Sequence, residues 1–155
     1  MVISESTRSA IDAEIAKYPQ KRGALLAALH LVQREHGWIA PEAAKALAEL
    51  FEIRPIEVME VVTFYNMYFD RPHGRHQVRV CTNLPCSLRG ARQLVHALEQ
   101  HLGVEAGETT ADGRIHLGHE ECLGACAWAP MMRIDDTYYE DLDAEKAKQI
   151  LDSLK

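Results

Sequence analysis

Cysteine is absent from the first 80 residues of this chain, and no apolar run in it is long. The longest apolar run, residues 24–29, is far shorter than the roughly 18 residues that suggest a membrane-spanning helix, so direct membrane insertion is not expected. No basic region followed by an apolar core stands at the N-terminus, so no secretory signal is recognised. A cytoplasmic location is therefore expected, where cysteines occur more often as thiols or metal ligands than in disulfides.

Net positive charge and glycine-rich loops are also lacking. The chain has 17 Lys and Arg against 23 Asp and Glu, a net charge of −6, which argues against a nucleic-acid-binding surface. The imbalance is concentrated in residues 76–155, where 8 basic residues face 13 acidic ones. No glycine-rich nucleotide-binding motif is present, so neither a dinucleotide nor a flavin is expected to bind within this chain.

The first half of the chain predicts a small helical bundle. Apolar residues recur there at helical spacing, and serines or prolines stand where helices would begin. The stretch 61–69 is rich in aromatic residues, and these are expected mainly in the core, with a docking surface as the alternative. The four predicted helices run from Ser4 or Ser6 to about residue 17, from residue 20 to about residue 35, from Pro41, and from Pro55.

A different pattern follows residues 70–75, a polar stretch containing Pro72 and Gly74 that predicts a domain boundary. We therefore expect two domains, residues 1–70 and 76–155. The second predicts the order strand, helix, strand, strand, strand, helix, with strands at 77–81, 114–118, 131–135 and 138–139 and helices at 88–101 and 143–154. The expected fold class is α+β, in which the second domain is a mixed sheet with two helices on it, as in thioredoxin.

Four cysteines, the only ones in the chain, form two pairs in the second half. Cys81 and Cys86 have the spacing C-x₄-C, and Cys122 and Cys126 have the spacing C-x₃-C. The first pair follows a predicted strand into a helix, and the second pair lies between two predicted strands. If the first two strands are neighbours, both loops can lie at one end of the sheet. Four thiolates there could hold zinc or an iron–sulfur cluster.

The spacing of the cysteines bears on which kind of site they form. Structural zinc sites usually use C-x₂-C knuckles, whereas the wider loops here suit two irons that lie apart. A thioredoxin-like dithiol enzyme would also show C-x₂-C. A [2Fe-2S] cluster is therefore favoured, with zinc as the alternative. We expect a helix N-terminus to stabilise thiolate charge at Cys86, and His119, near Cys122, to face solvent rather than bind metal.

Six short motifs, spread over nearly the whole chain, give a specific resemblance. With these motifs the chain resembles the 24-kDa subunit family of NADH:quinone oxidoreductase, respiratory complex I, whose cluster domain is a thioredoxin-like [2Fe-2S] ferredoxin. The resemblance implies that Cys81, Cys86, Cys122 and Cys126 ligate a [2Fe-2S] cluster. The motifs are residues 36–39, 62–65, 81–86, 121–126, 129–131 and 138–142.

The resemblance also implies a partner and a role. The family's partner is a flavoprotein subunit that binds NADH and FMN, and the cluster exchanges single electrons with that flavin. The chain would then be an electron-transfer subunit with no catalytic residue of its own, held peripherally on the cytoplasmic side of the membrane through the complex. Related subunits serve NAD-linked hydrogenases and formate dehydrogenases, and the ligand pattern does not separate these hosts. A Cys₄ structural zinc module for protein interaction is the remaining alternative.

Overall fold

The computed structural model describes residues 3–155 and divides the chain into two compact units. The first unit ends at Pro72, and the second runs from His73 to Lys155. None of the helices in the described part of the chain combines the length and the hydropathy that a membrane crossing requires.

The first unit is built from helices that begin where the sequence predicts. These α-helices are α1 (Glu5–Ile15), α2 (Leu25–His36), α3 (Pro41–Phe51) and α4 (Pro55–Phe64). Ser4 caps α1 by accepting a hydrogen bond from the Thr7 N–H at 3.2 Å. Pro41 and Pro55 occupy the first helical positions of α3 and α4, where a missing N–H costs nothing. The second predicted helix begins with a 3₁₀ turn instead, Lys21–Ala24.

Two apolar residues of this unit that fit the predicted helical stripes lie outside its core. Leu26 and Ile56 are exposed, and for Ile56 the exposed fraction is 57%. The helices instead bury Leu29, Leu47 and Val58 against one another. Helical spacing fixes which side chains share a face, but the neighbouring helices decide how wide the buried face is.

The aromatic stretch of this unit is divided between core and surface. Tyr68 is buried, and its hydroxyl donates a hydrogen bond to the Leu26 carbonyl at 2.8 Å. Phe64 is 79% exposed and packs edge-on against the Tyr65 ring. The expectation that these rings are mainly core is therefore wrong for Phe64 and holds for Tyr68.

The second unit is a four-stranded sheet with helices packed on it. Its elements are β1 (His76–Cys81), α5 (Leu84–Leu88), α6 (Ala91–Leu102), β2 (Ile115–Glu120), β3 (Met132–Ile134), β4 (Thr137–Tyr139) and α7 (Ala144–Ser153). The strand order is β2-β1-β3-β4, in which β1 is parallel to β2 and antiparallel to β3, and β3 and β4 form a hairpin. Asp143 caps α7 by accepting a hydrogen bond from the Lys146 N–H at 2.7 Å.

The helix predicted over residues 88–101 begins at Ala91 instead, as α6, and a separate short helix, α5, precedes it. Gly90 adopts φ of +95°, in the left-handed region, and separates the five-residue α5 from α6. Leu88, the first residue of the predicted helix, ends α5 and is exposed. Cys86 therefore lies in α5, a short helix that follows the end of β1 and is separate from α6.

One apolar face of the sheet forms the core of this unit. Val78 and Val80 alternate along β1 and are fully buried with Leu94 and Leu98 of α6 and Leu151 of α7. Full burial of a side chain of this size stabilises the fold by about 1.5–3 kcal/mol. This packing fixes the position of β1 and therefore of Cys81, the residue at which β1 ends.

A histidine–aspartate contact makes the stability of this unit depend on pH. His76 Nδ1 lies 2.8 Å from Asp135 Oδ2, and this hydrogen bond raises the pKa of His76 above its ordinary value. Because the pKa is raised in the folded state, the stabilisation is complete below pH ~6.5 and is lost as pH rises through the folded pKa. Asp135→Asn should therefore lower stability at acidic pH by about 1 kcal/mol or less and have a smaller effect at alkaline pH.

The measurement is the midpoint of unfolding for wild type and Asp135→Asn from about pH 5 to about pH 9. The asparagine can keep the hydrogen bond that Asp135 Oδ1 accepts from the Gln77 N–H at 2.8 Å. Asp136→Asn, the same change at the next residue, is the control for altered net charge. An Asp135→Asn effect that is equal at all pH values would contradict the role of His76.

Candidate metal centre

Two parallel strands bring the cysteine loops to one edge of the sheet, as the sequence predicts. β1 ends at Cys81 and β2 ends at Glu120, and these two residues are partners in the register. The Thr82 N–H continues the pairing by donating to the Glu120 carbonyl at 2.9 Å. Because the strands are parallel, their carboxyl ends lie side by side, and the chain leaves both strands at the same place.

The first pair of cysteines is buried. Cys81 and Cys86 are each 1% exposed, and they pack with Ala125 and Met131. The Cys81 N–H donates to the Met131 carbonyl at 3.1 Å, which fixes the end of β1 against the chain that enters β3. The turn that carries Cys86 is held by the Ser87 hydroxyl, which donates to the Thr82 carbonyl at 2.9 Å.

The second pair of cysteines is exposed. Cys122 and Cys126 lie at the surface, and Cys126 begins a 3₁₀ turn that ends at Trp128. Gly124 between them has φ of +81°, which a residue with a Cβ rarely adopts. In this conformation the Gly124 N–H donates to Cys122 Sγ at 3.4 Å. A backbone N–H of this loop therefore contacts a cysteine sulfur.

The electrostatics of the thiols link the two pairs. Burial, followed by a hydrogen bond with the Cys81 thiol, raises the pKa of Cys86 to about 11. Loss of water around Cys126 raises its pKa, and the charges of Cys122 and Cys81 raise it further. Cys86 lies in the first turn of α5, as expected, but the pKa of its thiol is raised by burial rather than lowered.

The four sulfurs form a donor set suited to a positively charged core. Within each pair the thiols raise the pKa of Cys86 or Cys126, and Cys126 also interacts electrostatically with Cys81 and Cys86. Thiols that disfavour one another's ionisation need a cationic partner before they can all become thiolates. Among the described residues, no three His, Cys, Asp or Glu side chains converge on one metal-ion position.

Two other side chains near the cysteines differ in how well the sequence predicts them. His119 is exposed, as expected, and lines an open groove of about 400 Å³ with Thr82, Arg92, Val95 and Glu121. Tyr138 stands in one of the six motifs, but no local pattern predicts the contact that it makes. Its hydroxyl donates to the Leu123 carbonyl at 2.9 Å, from β4 to the loop of the exposed cysteines. The fold of the sheet brings Tyr138 and Leu123 together, so the spacing of residues along the chain does not predict this contact.

Apolar side chains stand in the same short elements as the cysteines. Leu84 and Leu88 are the first and last residues of α5, and both are exposed. Trp128, two residues after Cys126, is 52% exposed. Large apolar side chains left in water next to a functional site indicate a surface for another protein.

Comparison with known proteins identifies the relatives of this chain. Residues 11–155 match the family described as thioredoxin-like [2Fe-2S] ferredoxin. The chain is 38% identical over 148 residues to a subunit of the NADH-quinone oxidoreductase of Rhizobium meliloti (strain 1021), with 96% of this chain and 88% of that protein covered. It is 42% identical over 144 residues to the mitochondrial NADH dehydrogenase [ubiquinone] flavoprotein 2 of Dictyostelium discoideum, with 91% of this chain and 58% of that protein covered.

A solved structure with the same fold comes from a different enzyme. The crystal structure of NAD⁺-reducing [NiFe]-hydrogenase in the air-oxidized state contains a chain that matches with a TM-score of 0.73 and 26% identity. The match covers 83% of this chain and 22% of that one. The expected architecture, a helical bundle followed by a thioredoxin-like mixed sheet, is confirmed.

Proposed function

This chain belongs to the thioredoxin-like [2Fe-2S] ferredoxin family, and from that premise we propose that Cys81, Cys86, Cys122 and Cys126 hold one [2Fe-2S] cluster. We propose that the chain is the iron–sulfur electron-transfer subunit of an NADH dehydrogenase of the complex I type. The observation that carries this proposal is that the parallel strands β1 and β2 bring both cysteine loops to one edge of the sheet, where Ala125 of the second loop packs with Cys81 and Cys86.

The pairing favours two irons over a single zinc ion. A tetrahedral zinc site gathers four sulfurs around one point, whereas each iron of a [2Fe-2S] cluster takes two protein ligands. Cys81 with Cys86 would serve one iron, and Cys122 with Cys126 the other. The bound cluster supplies one-electron transfer. The chain's own residues keep one side of the site dry through Cys81 and Cys86 and leave the other side open at Cys122 and Cys126.

The relatives support the choice of host complex. Proteins 38% and 42% identical to this chain are named as components of NADH-quinone oxidoreductase and NADH dehydrogenase. The hydrogenase chain, at 26% identity, supports an NAD-linked hydrogenase as the second candidate host. We propose a complex on the cytoplasmic side of a membrane, to which this chain is attached peripherally.

The partner that we propose is a flavoprotein subunit that binds NADH and FMN. The sequence has no glycine-rich nucleotide motif, so NADH is expected to bind elsewhere in the complex. Hydride chemistry on NADH moves two electrons, and a flavin is the cofactor that can pass them on singly. The open side of the cysteine site, with Trp128 and Leu84 exposed beside it, is where we expect electrons to be exchanged.

The test of the proposed cofactor is the composition of the anaerobically purified protein. Iron and acid-labile sulfide should be present in equal amounts, at about two of each per chain. The reduced protein should show the EPR signal of a one-electron-reduced [2Fe-2S] centre. Zinc without sulfide would contradict the proposal and favour a structural zinc module.

We also propose that the first unit helps to bind the flavoprotein subunit through Phe64 and the exposed Tyr65 and Met67. Phe64→Ser should weaken binding to that subunit by about tenfold or more, since a large exposed aromatic side chain is typical of a binding hot spot. The dissociation constant for the purified flavoprotein subunit is the measurement. Leu26→Ser, also at an exposed position of this unit, is the matched control, and an equal loss in both variants would contradict a specific role for Phe64.

A further inference from the structure

The β3–β4 hairpin reaches the loop that carries the exposed cysteines. The Tyr138 hydroxyl donates to the Leu123 carbonyl at 2.9 Å, a contact between residues 15 apart in sequence. Leu123 lies directly after Cys122, so the bond acts on the backbone that carries one of the proposed ligands. Tyr138 itself is opposite Arg133 on β3, and β3 pairs with β1, which ends at Cys81.

The other hydrogen bonds within this loop do not attach it to the sheet. The Gly124 N–H donates to Cys122 Sγ, and the Trp128 N–H donates to the Ala125 carbonyl at 3.1 Å. Both bonds join residues of the loop to one another. The hydrogen bonds to the rest of the unit lie before the loop, at the Glu120 carbonyl, and after it, at the Trp128 carbonyl, which accepts from the Asp141 N–H at 2.9 Å. Within the loop, Ala125 and Leu123 contact the buried cysteines by apolar packing.

We propose that Tyr138 is a positioning residue for the iron–sulfur site, whose hydroxyl holds the Cys122–Cys126 loop in place through the Leu123 carbonyl. This inference rests on the proposed ligand set. The buried pair, Cys81 and Cys86, is held by a strand and by packing against Ala125 and Met131. Cys122 and Cys126 are themselves in water, although Ala125 and Leu123 between them pack against the buried pair. The Tyr138 hydroxyl adds to this packing a directional bond from the sheet to the backbone next to Cys122.

Loss of the Tyr138 hydroxyl should affect both how well the cluster is retained and its electronic structure. A single neutral hydrogen bond changes an equilibrium constant by about threefold to tenfold. Loss of the Tyr138 hydroxyl should therefore raise the equilibrium constant for opening of the loop by that factor. Opening exposes the sulfurs of Cys122 and Cys126 to competing ligands. It also alters the hydrogen bond from Gly124 to Cys122 Sγ, and hydrogen bonds to ligand sulfur tune an iron–sulfur centre.

The experiment compares Tyr138→Phe with Tyr139→Phe in the full-length, cluster-loaded chain. Both changes remove one hydroxyl from β4, but Tyr139 pairs with Met132 and packs partly into the apolar core. Iron loss to a chelator should be about threefold to tenfold faster in Tyr138→Phe than in wild type, and unchanged in Tyr139→Phe. The EPR g-values and the reduction potential of the reduced centre should shift only in Tyr138→Phe.

Three outcomes would decide against this role. Wild-type behaviour of Tyr138→Phe in both iron loss and EPR overturns it. Iron loss that is faster in Tyr138→Ala but not in Tyr138→Phe also overturns it, because the aromatic ring and not the hydroxyl would then be responsible. A wild-type protein without iron and sulfide in equal amounts overturns the proposed function, and the role of Tyr138 with it, so the two failures are distinguishable in the same preparation.

Discussion

Replacement of any one of the four cysteines by alanine is expected to abolish the [2Fe-2S] cluster. The chain has no fifth cysteine that could substitute for a lost ligand, because Cys81, Cys86, Cys122 and Cys126 are the only ones in the sequence. With three thiolates, one iron is left open to water and to chelators, and the cluster is released. The expected result is near-complete loss of iron, sulfide and the visible absorption of the purified protein.

The control is the replacement of a histidine that could in principle be a ligand but that we expect not to bind the cluster. His119 is the nearest histidine to Cys122 in sequence and is exposed on β2, so His119→Ala should retain full iron and sulfide. Far-ultraviolet circular dichroism separates loss of the cluster from loss of the fold. A normal absorption and EPR spectrum in Cys122→Ala would contradict ligation by all four cysteines, and loss of the cluster in His119→Ala would point to a mixed ligand set.

The second large effect is that NADH should be oxidised only when the flavoprotein subunit is present. Alone, the chain should not oxidise NADH, although a strong chemical reductant should reduce the purified protein. NADH gives up a hydride, whereas an iron–sulfur centre accepts one electron at a time, so a flavin has to stand between them. Addition of the FMN-containing flavoprotein subunit should produce NADH oxidation and, where the potentials allow, the EPR signal of this chain.

Anaerobic mixing of NADH with the chain, in the presence and absence of the flavoprotein subunit, is the measurement. Cys86→Ala provides the matched control, because the flavoprotein subunit should still oxidise NADH beside it while the EPR signal of this chain is missing. Rapid oxidation of NADH by the isolated, flavin-free chain would contradict the role of electron carrier. It would indicate a nucleotide site that the sequence does not reveal.

The helices and strands of this protein were predictable where the signal is local. Ser4, Pro41, Pro55 and Asp143 stand at helix starts in the sequence and in the structure, because capping and a missing N–H act within one turn. The parallel placement of β1 and β2 also follows from the order of the elements, since a helix joins the two strands. The edge at which the cysteines meet was therefore predictable.

The errors concern quantities that depend on distant neighbours. Ile56 and Phe64 are apolar, and only the packing of the other helices determines that they stay exposed. The helix predicted from residue 88 begins only after Gly90, and because glycine within a helix costs only about 1 kcal/mol relative to alanine, its presence did not rule out the earlier start. The shift in the pKa of Cys86 has the opposite sign to the one expected, because burial was not visible in the sequence.

The residue types and spacings alone determined that this chain has two thiol pairs on separate loops, with no other cysteine to compete, and that these suit a [2Fe-2S] cluster better than a single zinc ion. Their identity as cluster ligands stays a prediction. Only the tertiary structure decided that Cys81 and Cys86 are buried, that Cys122 and Cys126 face solvent, and that Tyr138 reaches the second loop. The physical reason is that burial and cross-sheet contacts arise from strands adjacent in space, and residues that are far apart along the chain carry no local signal of that adjacency.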